Sequence, residues 1–122
     1  MEARTYIENP DIVLLASDGA PFPARYASLC AHSDFWAALD GLADPPGDLE
    51  HDGLPAVKVE ADAETLAFIL PLMHNLPAQS TESADVTLLI KGYKLADCWG
   101  CMRALDVTRQ ALRWVDLALY RF

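Results

Sequence analysis

The sequence predicts an α+β fold in which a small three-stranded sheet packs against a mostly helical C-terminal part. Two observations carry this prediction. Short apolar runs bounded by turn-forming residues come early in the chain, whereas apolar residues at spacings of three and four dominate after Asp62. Strands and helices do not alternate regularly, so a doubly wound parallel sheet is not expected.

The predicted sheet consists of an N-terminal hairpin and a third strand. Residues 12–16 are apolar and suit a buried strand, and this run stops at Asp18-Gly19, where both residues tolerate positive φ. Residues 22–26 are predicted to form the return strand. The alternating run at residues 56–59 is predicted to be the third strand and to pair with this hairpin.

The segments around and after this sheet are predicted to be helical. Residues 27–31 form a compact helical turn, and Ser33 is expected to cap a second helix that ends near Gly41. Asp62 is expected to cap a third helix. Because Pro71 cannot donate a backbone hydrogen bond, it predicts a kink or an early stop in that helix.

Two later helices complete the prediction. The first is expected to be capped by Ser83, and one apolar stripe runs along it: Val86, Leu89, Ile90 and Tyr93. The second covers residues 98–119. Cys98, Met102 and Leu105 share one face of that helix, so Cys98 is expected to be a small core residue.

Length and composition predict one domain inside the cell. A chain of 122 residues supports one core, so residues 1–122 are expected to form a single domain, with an extension at 1–10, an acidic loop at 43–54 and a helix end or tail at 113–122. No secretory signal or membrane-spanning run is evident, so no membrane partner is expected. Three cysteines, an odd number, favour free thiols in the cytoplasm or nucleus.

The charge of the chain is acidic and unevenly distributed. The formal charge of −9 would repel phosphate backbones, so no nucleic-acid partner is expected. Residues 34–64 hold nine acids and one base, whereas residues 91–122 hold six bases and three acids. Solvated faces account for this most simply, and a head-to-tail or partner contact is the alternative. An apolar fraction of 52% predicts some apolar surface for a partner.

Six short motifs follow one another at family-like intervals: Asp11-Ile12-Val13, Phe22-x-Ala24, Leu29-x-x-x-Ser33-x-x-Trp36, Val57-x-Val59, Asp62-x-x-x-Leu66-x-x-Ile69-Leu70 and Tyr93-x-Leu95. Together they resemble the BTB/POZ domain family, most of all its compact fungal members. The resemblance implies a non-enzymatic module that binds a protein partner or itself. It also implies that Leu29 and Trp36 insert between the sheet and the later helices.

The resemblance also suggests a substrate adaptor for a cullin ubiquitin ligase as an alternative function. Cullin-binding members often end the helix after the Ser33 position with an apolar residue, any residue and then Glu. This chain has Leu39-Asp40-Gly41 there, without the Glu. The His and basic residue that commonly follow the Phe-x-Ala segment are replaced by Arg25 and Tyr26.

Apolar residues in two regions are the predicted partner-binding surface. They lie near the acidic loop and in the C-terminal tail: Phe35, Leu39, Leu42, Trp114, Leu117, Tyr120 and Phe122. Aromatic and apolar side chains of this type anchor many protein interfaces.

A thiol-disulfide oxidoreductase that uses Cys98 and Cys101 is the alternative from another functional class. Such a site normally follows a strand and needs further strands after it, whereas the residues after Cys101 have a helical pattern. No catalytic residue, cofactor or metal site is predicted. The acidic loop at residues 48–53 has the first half of a calcium-loop pattern, but its closing position is Val59.

Overall fold

The structure is a computed structural model that describes residues 7–41, 49–74, 76 and 85–120, with side chains described as far as Arg113. In these residues there are four strands, five α-helices and one 3₁₀ helix. In chain order they are β1 Ile12–Leu15, β2 Pro21–Ala24, α1 Tyr26–His32, α2 Asp34–Asp40, β3 Leu49–His51, β4 Leu54–Lys58, α3 Ala63–Ile69, the 3₁₀ helix Leu70–His74, α4 Val86–Trp99 and α5 Met102–Tyr120. The predicted class, α+β and mostly helical, is confirmed.

The sheet has the strand order β2-β1-β4-β3. Strand β1 pairs with β2 in antiparallel and with β4 in parallel orientation, so Val13 lies opposite both Pro23 and Ala56. The return strand ends at Ala24, before the predicted end at Tyr26, because Tyr26 already begins α1. Residues Pro21 and Pro23 have no N–H to donate, as suits an edge strand such as β2.

The prediction of three strands and a continuous acidic loop at 43–54 was wrong. Strand β3 pairs in antiparallel orientation with β4, and the two are joined by the two-residue turn Asp52-Gly53. Both turn residues have positive φ, 52° for Asp52 and 82° for Gly53. Asp-Gly between two extended segments is a strong hairpin signal, and the acidic composition of the segment obscured it.

The predicted helix starts and stops are largely confirmed. The Ser33 hydroxyl accepts a hydrogen bond from the N–H of Trp36, and the Asp62 carboxylate accepts one from the N–H of Thr65. Helix α3 ends at Ile69 and continues as a 3₁₀ helix that contains Pro71.

The start of α4 was predicted at the wrong residue. Asp85 caps this helix by accepting a hydrogen bond from the N–H of Leu88, whereas the predicted cap, Ser83, lies outside the described residues. Gly92 lies in the middle of this helix. A Cβ on Gly92 would come within 2.9 Å of the Phe68 ring, so the glycine lets α3 and α4 approach each other closely.

Leu29 and Trp36 occupy the core as predicted. Both side chains are fully buried, and they join a core cluster that includes Leu14 of the sheet and Leu66 and Leu89 of the later helices. None of the helices in the described parts of the chain has the length and apolar character that crossing a bilayer requires.

We expect Leu29→Ala to lower the free energy of unfolding by about 2–5 kcal/mol, the usual cost of a large-to-small change in a packed core. Urea denaturation followed by fluorescence measures this change. The matched control is Leu49→Ala, because Leu49 is 43% exposed and its truncation should cost well under half as much. Equal losses for the two variants would contradict the assignment of Leu29 to the core.

Candidate interaction surface

The start of α2 is fixed to the end of α4. The Ser33 hydroxyl donates a 2.6 Å hydrogen bond to the carbonyl oxygen of Trp99 while it caps α2. Gly100 follows the last residue of α4 and adopts the left-handed conformation with φ of 67°. A Cβ there would lie 2.9 Å from Cβ of Asp34. A glycine is therefore required where the two helices meet.

Three aromatic rings pack at this junction. The Phe35 ring stacks on Trp99, with centroids 6.5 Å apart and an interplanar angle of 7°. The ring of Trp36 meets both Phe35 and Trp99 edge to face, each at 5.6 Å between centroids. Trp36 and Trp99 are buried, whereas Phe35 is 42% exposed. Phe35 is thus an aromatic side chain on the surface that two buried rings hold in place.

The structure describes only part of the predicted partner-binding set. Phe35 is exposed, and Leu39, one turn later on α2, is half-buried against the core. Leu42 and Phe122 lie outside the described residues. Three further members, Trp114, Leu117 and Tyr120, belong to the backbone of α5, but their side chains also lie outside what the structure describes. The tail surface therefore stays a prediction.

Sequence reasoning missed several exposed apolar residues in the described part of the chain. Val86 and Ile90 were predicted to share one apolar stripe of α4 with Leu89, yet both are exposed whereas Leu89 is buried. Gly92 explains the difference, because α4 packs on α3 through the face that carries Leu89, Gly92 and Ala96. Spacings of three and four marked the helix correctly but did not show which apolar positions face inward.

The expected positions of the cysteines were also wrong. Cys98 was predicted to be a core residue, but it is exposed, and Cys101 is the fully buried cysteine. The left-handed Gly100 ends α4, so Cys98 and Met102 lie on different helices and do not share a face; Met102 is 64% exposed. Burial raises the pKa of the Cys101 thiol. A redox-active cysteine needs the opposite shift.

We expect iodoacetamide to alkylate Cys98 faster than Cys101 by on the order of tenfold or more, because the reagent reaches Cys101 only after local opening. Mass spectrometry of the digested protein at several reaction times gives the two rates. Alkylation in denaturant is the control, and there the rates should converge. Equal rates in the folded protein would contradict the buried position of Cys101.

His74 joins two segments that are distant in sequence. Its Nε2 accepts a 3.0 Å hydrogen bond from the N–H of Arg25, so Nδ1 carries the proton and donates to the carbonyl oxygen of Leu70 at 2.8 Å. Burial lowers the pKa of His74 from its usual value near 6.5, and this effect outweighs the hydrogen bond to Leu70, which raises the pKa. Both ring nitrogens are used within the fold.

We expect the stability of the protein to fall as the pH drops below about 6.5, because the unfolded chain then binds a proton at His74 more strongly than the folded chain. Above that pH the imidazole is neutral in the folded and the unfolded chain, and its contribution to the stability of the fold is fully present. Urea unfolding at pH 7.5 and 5.5 measures the difference. His74→Gln should reduce this difference, and His51→Gln, on the edge strand, should leave it in place; the opposite pattern would disprove the role of His74.

The described residues contain no group of three or more His, Cys, Asp or Glu side chains arranged to hold a metal ion. This finding concerns those residues alone. Among the side chains that could serve chemistry, His74 is hydrogen-bonded within the fold and Cys101 is buried, whereas Cys98 is exposed.

Comparison with known proteins identifies the fold. No protein-family model matches the sequence, and no curated protein matches it. Among solved structures, the chain is similar to the BTB domain of zebrafish PATZ1, with a TM-score of 0.64 over 86% of this chain and 76% of that chain. The chain has a BTB-like fold. Since the sequence identity is 11%, the likeness concerns the fold alone, and the resemblance to fungal members stays a prediction.

Proposed function

We propose that this BTB-like chain is a non-enzymatic protein-interaction module that binds a protein partner, or a second copy of itself, through apolar helix surfaces. The proposal rests on the exposed and rigidly held ring of Phe35. Its ring is 42% exposed on α2, yet it is stacked on a buried tryptophan. A rigid aromatic side chain of this kind gives contact area at little cost in conformational entropy.

The surroundings of Phe35 suit a protein interface. Leu39 follows four residues later on the same face of α2, so the two side chains form a short apolar stripe. The exposed carboxylates Asp34 and Asp40 lie at the two ends of the helix, where they provide a polar rim. The bond from Ser33 to Trp99 fixes the orientation of this helix on α4.

A role as a cullin adaptor is the narrower form of this proposal. The end of α2, Leu39-Asp40-Gly41, lacks the Glu that cullin-binding members often carry, so the general module is the better supported form. Failure of the purified protein to bind a purified cullin would remove the adaptor role. The three free thiols support a location inside the cell, in the cytoplasm or nucleus.

We expect Phe35→Ser to weaken self-association or partner capture by about 2 kcal/mol or more, which is the typical loss for a central interface aromatic. Sedimentation velocity across a range of concentrations measures self-association. Quantitative mass spectrometry of captured proteins identifies partners that the wild type retains and the variant loses.

Leu49→Ser is the matched control, because Leu49 is 43% exposed but lies on strand β3 and not on a helix surface. It should behave like the wild type in both measurements. If Phe35→Ser also behaves like the wild type, the α2 surface is not the interface. Trp114→Ala combined with Phe122→Ala tests the tail in the same way.

A further inference from the structure

Two open cavities lie side by side between the β1–β2 turn and the C-terminal half of α4, and together they are called the groove. Their volumes are about 330 and 720 Å³, and they share Glu60, Ala61 and Asp62 as a common wall. The first cavity extends to Lys94 and Trp99 on α4. The second extends over strands β1 and β4 to the turn after β1.

The groove collects positive charge in an acidic protein. Lys58, Lys91 and Lys94 are all the lysines in the chain, and each of them lines one of the two cavities. The ammonium group of Lys91 lies 2.9 Å from the Asp62 carboxylate and is paired with it. In the described part of the chain, Lys58 and Lys94 have no acidic group within ion-pair distance.

The two acids of the groove do not cancel this charge. Hydrogen bonds from Lys91 and Thr65 lower the pKa of Asp62 to about 2, so its carboxylate is ionised and fully engaged. The other acid that lines the groove is Glu60, and the other two lysines, Lys58 and Lys94, have no ion pair with a described residue. Among the charged side chains that line the two cavities, three lysines face two acids, whereas the chain as a whole carries −9. The acids Glu64 and Asp85 also act electrostatically on Lys91.

The groove also offers apolar contact. Half-buried Leu15 and Val59 line the cavity over the sheet, and half-buried Leu95 lies beside Trp99 in the cavity against α4. A ligand that fills both cavities would therefore meet both positive charges and apolar surface. An extended peptide with acidic and apolar side chains has this chemistry.

We propose that this groove binds an acidic segment of a partner protein, whose carboxylates pair with Lys58 and Lys94. A nucleic acid fits less well, because its many phosphates would meet the acidic remainder of the surface. The groove is distinct from the Phe35 surface, although Trp99 borders both. The proposal therefore does not depend on the function assigned to α2.

The test is an NMR titration of the labelled protein with a peptide of about ten residues, in which glutamate and leucine alternate, long enough to cross both cavities. Shifts should concentrate at groove residues such as Gly19, Ala61 and Leu95, and affinity should fall as salt is added. Lys58→Gln and Lys94→Gln should each weaken binding roughly two- to fivefold, and Glu60→Gln should strengthen it.

Arg109→Gln is the matched control. Arg109 is a basic side chain on α5 that lines neither cavity, and its loss changes the net charge of the protein by the same amount. It should leave the affinity for the peptide close to that of the wild type. A second measurement uses Cys98, which lines the cavity against α4 and is exposed: the bound peptide should slow its alkylation.

Several outcomes would overturn the proposal. One is that a lysine-leucine peptide binds as tightly as the glutamate-leucine peptide. Another is that Arg109→Gln weakens binding as much as the lysine variants do. A third is that the NMR shifts centre on Phe35 in place of the groove. Self-association of the wild type that both lysine variants abolish would show that the occupant is a second copy of the chain, and it would overturn the assignment to a partner protein.

Discussion

The bond from the Ser33 hydroxyl to the carbonyl oxygen of Trp99 is the interaction on which the rest of this structure depends. One buried oxygen caps α2 and, at the same time, attaches it to the end of α4. Trp36 is thereby held in the core, although its indole Nε1 has no hydrogen-bond partner among the described residues. An unpaired buried donor costs about 1–3 kcal/mol, and the apolar area that Trp36 buries has to offset that cost.

Two glycines make this packing possible, and they also shape the outer surface. Gly100 adopts a conformation with positive φ beside Asp34, and Gly92 lets Phe68 approach the backbone of α4. Because α4 turns its glycine face toward α3, the apolar side chains of Val86 and Ile90 remain exposed. The exposed apolar surface is therefore a consequence of close helix packing, and its composition suits contact with another protein.

Polar groups that could serve chemistry are instead used to join distant segments. The Asp11 carboxylate accepts a hydrogen bond from the N–H of Tyr26 at the start of α1, and His74 joins that region to the 3₁₀ helix. The Arg103 guanidinium donates to the carbonyl oxygens of Leu72 and Leu76. In the described residues, the Phe35 stripe, the exposed side chains of Val86 and Ile90 and the groove lined by the lysines remain available to other molecules.

The sequence by itself determined several features that depend on neighbours within about one helical turn. The caps Ser33 and Asp62 and the helix end before Pro71 were predicted correctly, because each bond or clash involves residues three or four positions away. Tertiary structure decided what depends on other segments. Cys98 is exposed and Cys101 is buried because α4 ends between them and the surrounding segments pack against Cys101. The periodicity of residues along one helix does not show which side faces the core.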